Sequence, residues 1–369
     1  MSLRIDRITL THVRIPLVEP FRISNGEVTK KDGIVVAVAS DGLVGYGESS
    51  PMAGSFYSTD TPESCWAQLT TNLAPRAIGR DFPTLEDACV WLDGLPGGNF
   101  AKVGIETALW DLEAQRRRLP LHKLLGGELE RVASGLAVGL YDTMDALLGA
   151  IERYLPHGYQ RLKIKISPGQ DVDLVTAVRE RFGEIPLMTD ANAAYTLQHL
   201  DVFRKLDEYN LLMYEQPLGR AMLGESAMLQ QVVRTPVCLD ESLETLADVE
   251  RAAALRSFRV ANIKIQRVGG FRNALRVYET CRRLGLSIWI GTMPELGIGQ
   301  AQGAALASLP GCDFPTDVEA SARWFVDDII EPWIEVQGGW IEMPKAPGIG
   351  YRVDPEKLSR YRIANQEIA

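Results

Sequence analysis

Three carboxylates stand at equal spacing in the second half of the chain, an arrangement that could bind a metal ion. Asp190 and Glu215 are 25 residues apart, as are Glu215 and Asp240. If such carboxylates face one another, each raises the pKa of the others unless a cation lies between them. An all-oxygen ligand set with positions left for water and substrate favours Mg²⁺, with Mn²⁺ as the second choice. The three residues therefore predict a divalent-metal site.

Lysines at similar positions could act as acids and bases beside that metal. Lys163 and Lys165 share one face of a predicted strand because strand side chains alternate in direction, and Lys264 lies within the apolar run 261–265. An unpaired lysine among apolar residues is costly, so chemistry is the stronger explanation of all three. The charges of Lys163 and of a metal disfavour the protonated form of Lys165, as a general base requires. The set predicts removal of a proton alpha to a carboxylate, with the metal stabilising the resulting enediolate.

The positions of these residues indicate a repeated strand–helix unit. A charged residue lies at or just after the end of each of five short apolar runs, at separations of 25, 25, 25 and 24 residues: Lys165, Asp190, Glu215, Asp240 and Lys264. A period this regular indicates one unit repeated along the chain. Because the carboxyl ends of barrel strands meet around one opening, we predict an α/β fold of the (β/α)7β TIM-barrel type, with an open doubly wound sheet as the alternative. The predicted strands are residues 135–141, 161–166, 187–189, 211–214, 237–239, 261–265, 287–290 and 314–317.

The residues before the barrel predict a separate α+β capping domain. Alternating and β-branched runs predict strands at 4–17, 34–39 and 44–48, and helical spacing of apolar residues predicts a helix over 101–118 with Asn99 as its N-cap. We assign residues 1–130 to the cap, completed by a C-terminal segment from about 330 to 369 that contains a hairpin over 333–343, and residues 131–329 to the barrel. Two segments rich in Gly, Ser, Thr and Pro, 20–32 and 49–61, are candidate mobile loops that cover the site.

Composition excludes several classes of protein. The net charge of −9 argues against a nucleic-acid surface, and no long uncharged apolar stretch suggests a membrane span or a signal peptide. The five cysteines form no C-x-x-C pair and are odd in number, as is typical of reduced thiols. We therefore expect a cytoplasmic protein that acts on a small-molecule carboxylate, binds neither nucleic acid nor membrane, and forms a homo-oligomer.

These motifs resemble the enolase superfamily, and within it the muconate lactonizing enzyme subgroup. The K-x-K pair Lys163/Lys165, the three carboxylates and Lys264 match the family's lysines and metal ligands, while the mandelate racemase subgroup would have a histidine late in the barrel, and here none follows His199. Within the subgroup, the chain is most similar to o-succinylbenzoate synthases and N-succinylamino acid racemases. The matching stretches are KIKISPGQDV, TDANAAYTL, LLMYEQPL, TPVCLDES, NIKIQRVGG and ALASLP.

The chain departs from that family's usual sequence at two places near the expected site. The family usually reads NIKPGRVGG where this chain has Ile265 and Gln266, and GGM where this chain has Gly291-Thr292-Met293 followed by Pro294. Both departures affect the expected substrate preference. They leave the expected fold and the catalytic set unchanged.

The resemblance implies specific roles for residues and two candidate reactions. Lys163, Lys165 and Lys264 would be catalytic, in a syn-dehydration that forms o-succinylbenzoate for menaquinone biosynthesis or in racemisation of N-succinylamino acids. Dipeptide epimerases carry a D-x-D pair that Asp317-Val318-Glu319 does not match, and a Schiff-base aldolase or a barrel without catalytic activity are further alternatives. The substrate-binding residues would be Phe21, Ser24, Met52, Phe56, Tyr57, Asn192, Arg267, Gly291, Thr292 and Met293.

Overall fold

An antiparallel sheet near the N-terminus and a curled parallel sheet after it organise the chain. The computed structural model describes residues 2–23, 26–54 and 57–369. The strands are β1 Leu3–Arg4, β2 Arg7–Ile23, β3 Gly26–Ser40, β4 Leu43–Ser49, β5 Asp81–Phe82, β6 Arg131–Ala133, β7 Leu136–Val138, β8 Leu162–Lys165, β9 Leu187–Asp190, β10 Tyr214–Glu215, β11 Val237–Leu239, β12 Val260–Ile263, β13 Ser287–Ile290, β14 Ile330–Glu331, β15 Trp340–Glu342, β16 Arg352–Val353 and β17 Arg362–Ile368.

Helices alternate with the strands from β7 to β13. The α-helices are α1 Pro62–Gln68, α2 Ala74–Ala77, α3 Leu85–Asp93, α4 Asn99–Arg117, α5 Leu121–Leu124, α6 Met144–Tyr154, α7 Val172–Phe182, α8 Leu200–Leu206, α9 Leu223–Val232, α10 Leu246–Leu255, α11 Ile265–Val268, α12 Phe271–Arg283, α13 Gly297–Ala307, α14 Ser321–Trp324 and α15 Pro355–Tyr361. No helix in the described part of the chain is both long and apolar enough to cross a membrane.

The antiparallel sheet has the order β17-β2-β3-β4, and its hairpin is longer than predicted. Phe21 pairs with Val28 and Ile23 with Gly26, so both strands continue to the tip. The prediction that 20–32 is a loop is therefore wrong. Its Gly, Ser and Pro content is typical of a loop. Pairing between the two strands nevertheless gives their backbone N–H and C=O groups hydrogen-bond partners and keeps both strands extended.

Helix α4 packs directly against β4, because glycines allow the two backbones to approach closely. A Cβ atom on Gly47 would lie 2.1 Å from the carbonyl oxygen of Gly104, and one on Gly45 would lie 2.2 Å from that of Ala108. The helix begins at Asn99 with Gly98 as its N-cap, so the prediction of Asn99 as N-cap is wrong. The Asn99 amide instead donates to the carbonyl of Arg267, 2.7 Å away.

Side chains close the open edge of β4, the last strand of its sheet. Three glutamine amides donate to successive carbonyls that face away from β3, which spares these buried groups the cost of having no partner. The donor–acceptor pairs are Gln115 to Val44 at 2.8 Å, Gln302 to Tyr46 at 3.2 Å and Gln266 to Glu48 at 2.9 Å.

Gly47→Ala is expected to lower the free energy of unfolding by about 3 kcal/mol, because the new methyl group overlaps helix α4 and the backbones must separate. Urea denaturation would measure the change. Gly149→Ala is the matched control. A Cβ there meets no atom within 4 Å, and alanine at this exposed position of helix α6 is expected to add about 0.5–1 kcal/mol. Equal effects of the two changes would contradict the close packing.

The parallel sheet has the order β13-β12-β11-β10-β9-β8-β7 and closes into a barrel. Its two edge strands are joined by the extended segment 313–317, where the eighth strand is predicted. Gly135 N donates to the carbonyl of Thr316 at 2.8 Å on one side, and Asp317 N donates to that of Ile290 at 3.1 Å on the other. The fold is therefore the predicted (β/α)7β barrel, and the open doubly wound sheet is excluded.

The C-terminal segment returns towards the N-terminal sheet, but not through the predicted hairpin. Strand β15 pairs with β6, immediately before the first barrel strand, after a tight turn in which Gln337 and Trp340 exchange backbone hydrogen bonds. Strand β17 then pairs along β2 and becomes the edge strand of the antiparallel sheet. The sheet therefore depends on residues from both ends of the chain.

Candidate active site

The parallel register of neighbouring strands places the predicted lysines and carboxylates at one end of the barrel. Lys165 at the end of β8 is level with Asp190 at the end of β9, and Asp190 is level with Glu215 at the end of β10. Asp240 and Lys264 directly follow β11 and β12. All of these side chains are buried, so their charges interact through protein rather than through water.

The two lysines of β8 contact different carboxylates. Lys165 Nζ donates to Asp190 Oδ2 at 2.5 Å and to Asn192 Oδ1 at 2.9 Å. Lys163 Nζ donates to Asp317 and lies 3.4 Å from Glu215 Oε2. Burial alone would lower the pKa of Lys163, but the carboxylates of Asp317 and Glu215 raise it above its ordinary value. These carboxylates therefore favour the protonated form of Lys163.

A second ion-pair cluster lies on the other side of the barrel, around Asp240. Lys264 Nζ donates to Asp240 Oδ2 and to the hydroxyl of Tyr57, both at 2.9 Å. Arg267 donates to the same two groups. Burial would raise the pKa of Asp240, but Arg267 and Lys264 hold it well below its ordinary range. Burial likewise opposes the charge of Lys264, and the carboxylate of Asp240 raises the pKa of that lysine.

Glu215 is the carboxylate whose charge is least compensated. Its Oε1 accepts a hydrogen bond from Asn262 at 2.8 Å, whereas Oε2 is buried with no hydrogen-bond partner. Burial and the neighbouring carboxylates of Asp190 and Asp240 raise the pKa of Glu215 to about 8, although Lys163 opposes this. A hard divalent cation would supply the missing partner, so the residues present fit such an ion.

The carboxylates do not point at a common centre. Over residues 2–23, 26–54 and 57–369, no three His, Cys, Asp or Glu side chains are grouped as metal ligands. The reason is visible in the contacts: Asp190 is turned towards Lys165, and Asp240 towards Lys264 and Arg267. Binding of a cation would require at least the Lys165–Asp190 pair to open.

A small cavity lies between the two lysine clusters. Its volume is about 40 Å³, room for a few water molecules, so a substrate enters only when the covering side chains move. Six of the predicted substrate-binding residues line it, together with all three lysines. These six are Phe21, Met52, Tyr57, Asn192, Thr292 and Met293.

Arg267 and Gly291, which are also predicted to bind substrate, do not line this cavity. Arg267 reaches the site only through Tyr57 and Asp240, and Gly291 packs against Asn262, whose Oδ1 would be 2.3 Å from a Cβ at that glycine. Ser24 and Phe56 lie outside the described residues.

Sequence reasoning missed several residues of the cavity wall. Trp324 packs edge-to-face against Phe21, with ring centroids 4.9 Å apart, and Asp317 forms the ion pair with Lys163. Asp317 had a recognisable signal, its place at the end of the predicted eighth strand. Trp324 follows that strand in a one-turn helix and has no such signal. The missed lining residues are Ile23, Ala137, Pro294, Asp317 and Trp324.

Phe21 and Ile23, near the end of β2, line one side of the cavity, and Arg22 between them is bonded to the barrel. Leu140 N donates to the carbonyl of Arg22 at 2.8 Å, and Arg22 forms an ion pair with Asp142 at 2.7 Å. Gly139 lets the backbones meet, because a Cβ there would lie 2.7 Å from the carbonyl of Arg22. Residues 139–142 follow β7, so the first barrel strand positions the segment to which Arg22 is bonded.

Comparison with known proteins assigns the whole chain to one family. Residues 5–126 match the model of the mandelate racemase / muconate lactonizing enzyme N-terminal domain, and residues 146–357 match that of the enolase C-terminal domain-like family. An o-succinylbenzoate synthase of Geobacillus stearothermophilus is 41% identical over 362 residues, which cover 98% of this chain and 96% of that protein. An N-succinylamino acid racemase of an Amycolatopsis species is 36% identical and covers 98% of each chain.

A solved structure agrees over the same extent. The crystal structure of an enolase superfamily member from Listeria innocua superimposes with a TM-score of 0.94, at 34% identity, over 99% of each chain. The buried lysines and carboxylates thus lie in a fold shared along its whole length with that superfamily, and the chain belongs to the mandelate racemase / muconate lactonizing enzyme family of the enolase superfamily.

Proposed function

We propose that the protein removes a proton alpha to a carboxylate and eliminates water to form o-succinylbenzoate. The observation that carries this proposal is that Lys165 and Lys264, from the second and sixth barrel strands, line one cavity. Two amines on either side of a bound acid can act on its α-carbon from opposite faces. The identity to relatives named o-succinylbenzoate synthase supports dehydration as the main reaction.

In this mechanism Lys165 acts as both base and acid. Its Nζ takes the α-proton and returns it to the hydroxyl group that leaves as water, so the ion pair with Asp190 must first open. Lys264 stays protonated, as its contact with Asp240 favours, and its charge stabilises the enediolate. Lys163 is held by Asp317 and adds positive charge beside Lys165.

Enzymes of this family generally depend on a divalent metal, and we propose Mg²⁺, with Mn²⁺ as the alternative. Asp190, Glu215 and Asp240 would hold it, and the buried Oε2 of Glu215 supports this assignment. When bound, the ion supplies positive charge to the substrate carboxylate, where negative charge develops after proton loss.

Racemisation of N-succinylamino acids is the second candidate function. It requires a base on each face of the α-carbon, and both lysines line the cavity. Relatives named N-succinylamino acid racemase at 36% identity support it. One site could serve both reactions, because each begins with removal of a proton alpha to a carboxylate.

The remaining assignments concern the surroundings of the site. The proposed substrate-binding residues are the ten predicted from the sequence. The proposed domains are a cap, formed by residues 1–130 and about 330–369, and a barrel, formed by residues 131–329. A cytoplasmic location is supported by five cysteines without disulfide bonds. A homo-oligomeric state is part of the same proposal, and size-exclusion chromatography with light scattering would test it.

Two assays on one preparation test the function. Dehydration is followed as the appearance of o-succinylbenzoate absorbance, and racemisation as loss of the α-proton signal of each N-succinylamino acid enantiomer in D₂O. We expect both to require a divalent metal, with higher kcat/KM for dehydration. Exchange of α-protons without dehydration would favour the second candidate, and the absence of both would overturn the proposal.

Tyr57→Phe is expected to change the ratio of kcat/KM between the two substrates by about threefold to tenfold. The ring stays over Lys264 at 5.3 Å, but the hydroxyl that contacts Lys264 and Asp240 is lost. Steady-state kinetics with both substrates would measure it. The metal concentration at half-maximal activity should stay within about twofold, and an unchanged substrate ratio would contradict a role for Tyr57 in selection.

A further inference from the structure

Gln266 forms a two-point contact with the backbone of the other sheet. Its side chain is 1% exposed and extends from the one-turn helix α11. Oε1 accepts from Ser50 N, and Nε2 donates to the carbonyl of Glu48, both at 2.9 Å. These are the two bonds that a neighbouring strand would form with this edge, so one side chain continues the sheet beyond β4.

The contact lies where β4 ends and a wall of the cavity begins. Met52, two residues beyond Ser50, lines the cavity. Lys31 Nζ holds the same segment by donating to the carbonyl of Ser50 at 3.1 Å. Further along, Tyr57 contacts both Lys264 and Arg267. Gln266 stands between those two residues in the chain, so the Tyr57 side chain and the backbone two residues before Met52 are both bonded to one short turn.

We propose that Gln266 is a positioning residue that holds Met52 and Tyr57 over the Lys264 side of the cavity and thereby sets substrate affinity. The proposal rests on the proposed function for its kinetic test, but its structural test is independent of any activity.

Two variants separate the contact from the volume of the side chain. Gln266→Met keeps the length of the side chain and removes both of its hydrogen bonds. Gln266→Glu keeps the acceptor for Ser50 N but places a carboxylate against the carbonyl of Glu48. The matched control is Gln302→Met, because Gln302 is equally buried and bonds to the same strand at Tyr46, away from the cavity.

Hydrogen–deuterium exchange of the free protein is the first measurement. For Gln266→Met we expect exchange of amides in residues 50–54 to become about tenfold faster, with Gln266→Glu intermediate and Gln302→Met unchanged there. Equal protection in Gln266→Met and the unsubstituted protein would overturn the positioning role. The exchange measurement does not depend on activity. If the protein converted neither substrate, the proposed function would be refuted, but the positioning role of Gln266 would still be tested by exchange.

Kinetics then test the effect on substrate. For Gln266→Met we expect KM to rise about tenfold, because the segment that carries Met52 and Tyr57 must become ordered each time substrate binds. We expect kcat to stay within about threefold, because the lysines and carboxylates are unchanged. Gln302→Met should lose stability without a change in KM. A Gln266→Met variant that loses only stability, with KM unchanged at a temperature where it is folded, would show that Gln266 is structural and would overturn the proposal.

Discussion

Replacing Lys165 with arginine is expected to eliminate dehydration, whereas replacing Lys264 with arginine should eliminate racemisation and leave part of the dehydration. Arginine keeps the positive charge but cannot act as a base, because its pKa is above about 12. In the proposed syn-dehydration, Lys165 is both base and acid on one face, so Lys165→Arg should reduce kcat by about 10²–10⁴. Lys264→Arg should reduce it only about ten- to a hundredfold, since the charge that stabilises the anion remains.

Racemisation responds differently because it needs a base on each face of the α-carbon. ¹H NMR of α-proton loss in D₂O, measured separately for each enantiomer of an N-succinylamino acid, distinguishes the two lysines. Each variant should exchange one enantiomer and not the other. Lys205→Arg, an exposed change on α8, is the control and should alter neither reaction. Equal exchange of both enantiomers by Lys264→Arg would contradict the opposed arrangement.

Glu215→Gln is expected to abolish metal-dependent activity while leaving the fold intact. The buried Oε2 accepts no hydrogen bond, and although its 3.4 Å ion pair with Lys163 is lost, Lys163 keeps its hydrogen bond to Asp317. The amide oxygen of glutamine can still accept from Asn262. Without metal, we expect the variant to unfold within about 3 °C of the unsubstituted protein. With metal, we expect kcat to fall about a thousandfold, since a neutral amide is a far weaker ligand than a carboxylate.

Thermal unfolding gives a second readout that does not depend on activity. At a Mg²⁺ concentration about 100 times its dissociation constant, the unsubstituted protein should gain about 2.7 kcal/mol of stability, and Glu215→Gln should gain none. Titration with Mn²⁺ beside Mg²⁺ tests the identity of the ion. Glu279→Gln, an exposed change on α12, should keep both the gain and the activity. Retention of the Mg²⁺-dependent gain by Glu215→Gln would remove Glu215 from the proposed ligands.

The barrel and the residues at its open end could be predicted from local patterns along the chain. Alternation along a strand is local, and it placed Lys163 and Lys165 on one face. The repeat of about 25 residues is also local, because each strand–helix unit has nearly the same length, and it predicted that Asp190 and Glu215 would be level. These features follow from short-range geometry and need no knowledge of distant contacts.

The covering of the site and the pairing of its charges depend on contacts between distant parts of the chain. Segment 20–32 has the composition of a loop, but pairing between its two arms makes it a hairpin. The Lys163–Asp317 ion pair joins residues 154 positions apart, and the Gln266–Glu48 contact joins residues 218 positions apart. The physical reason is that a buried charge or amide takes whichever partner the packing brings within about 3 Å, and no sequence period records which distant segment that will be.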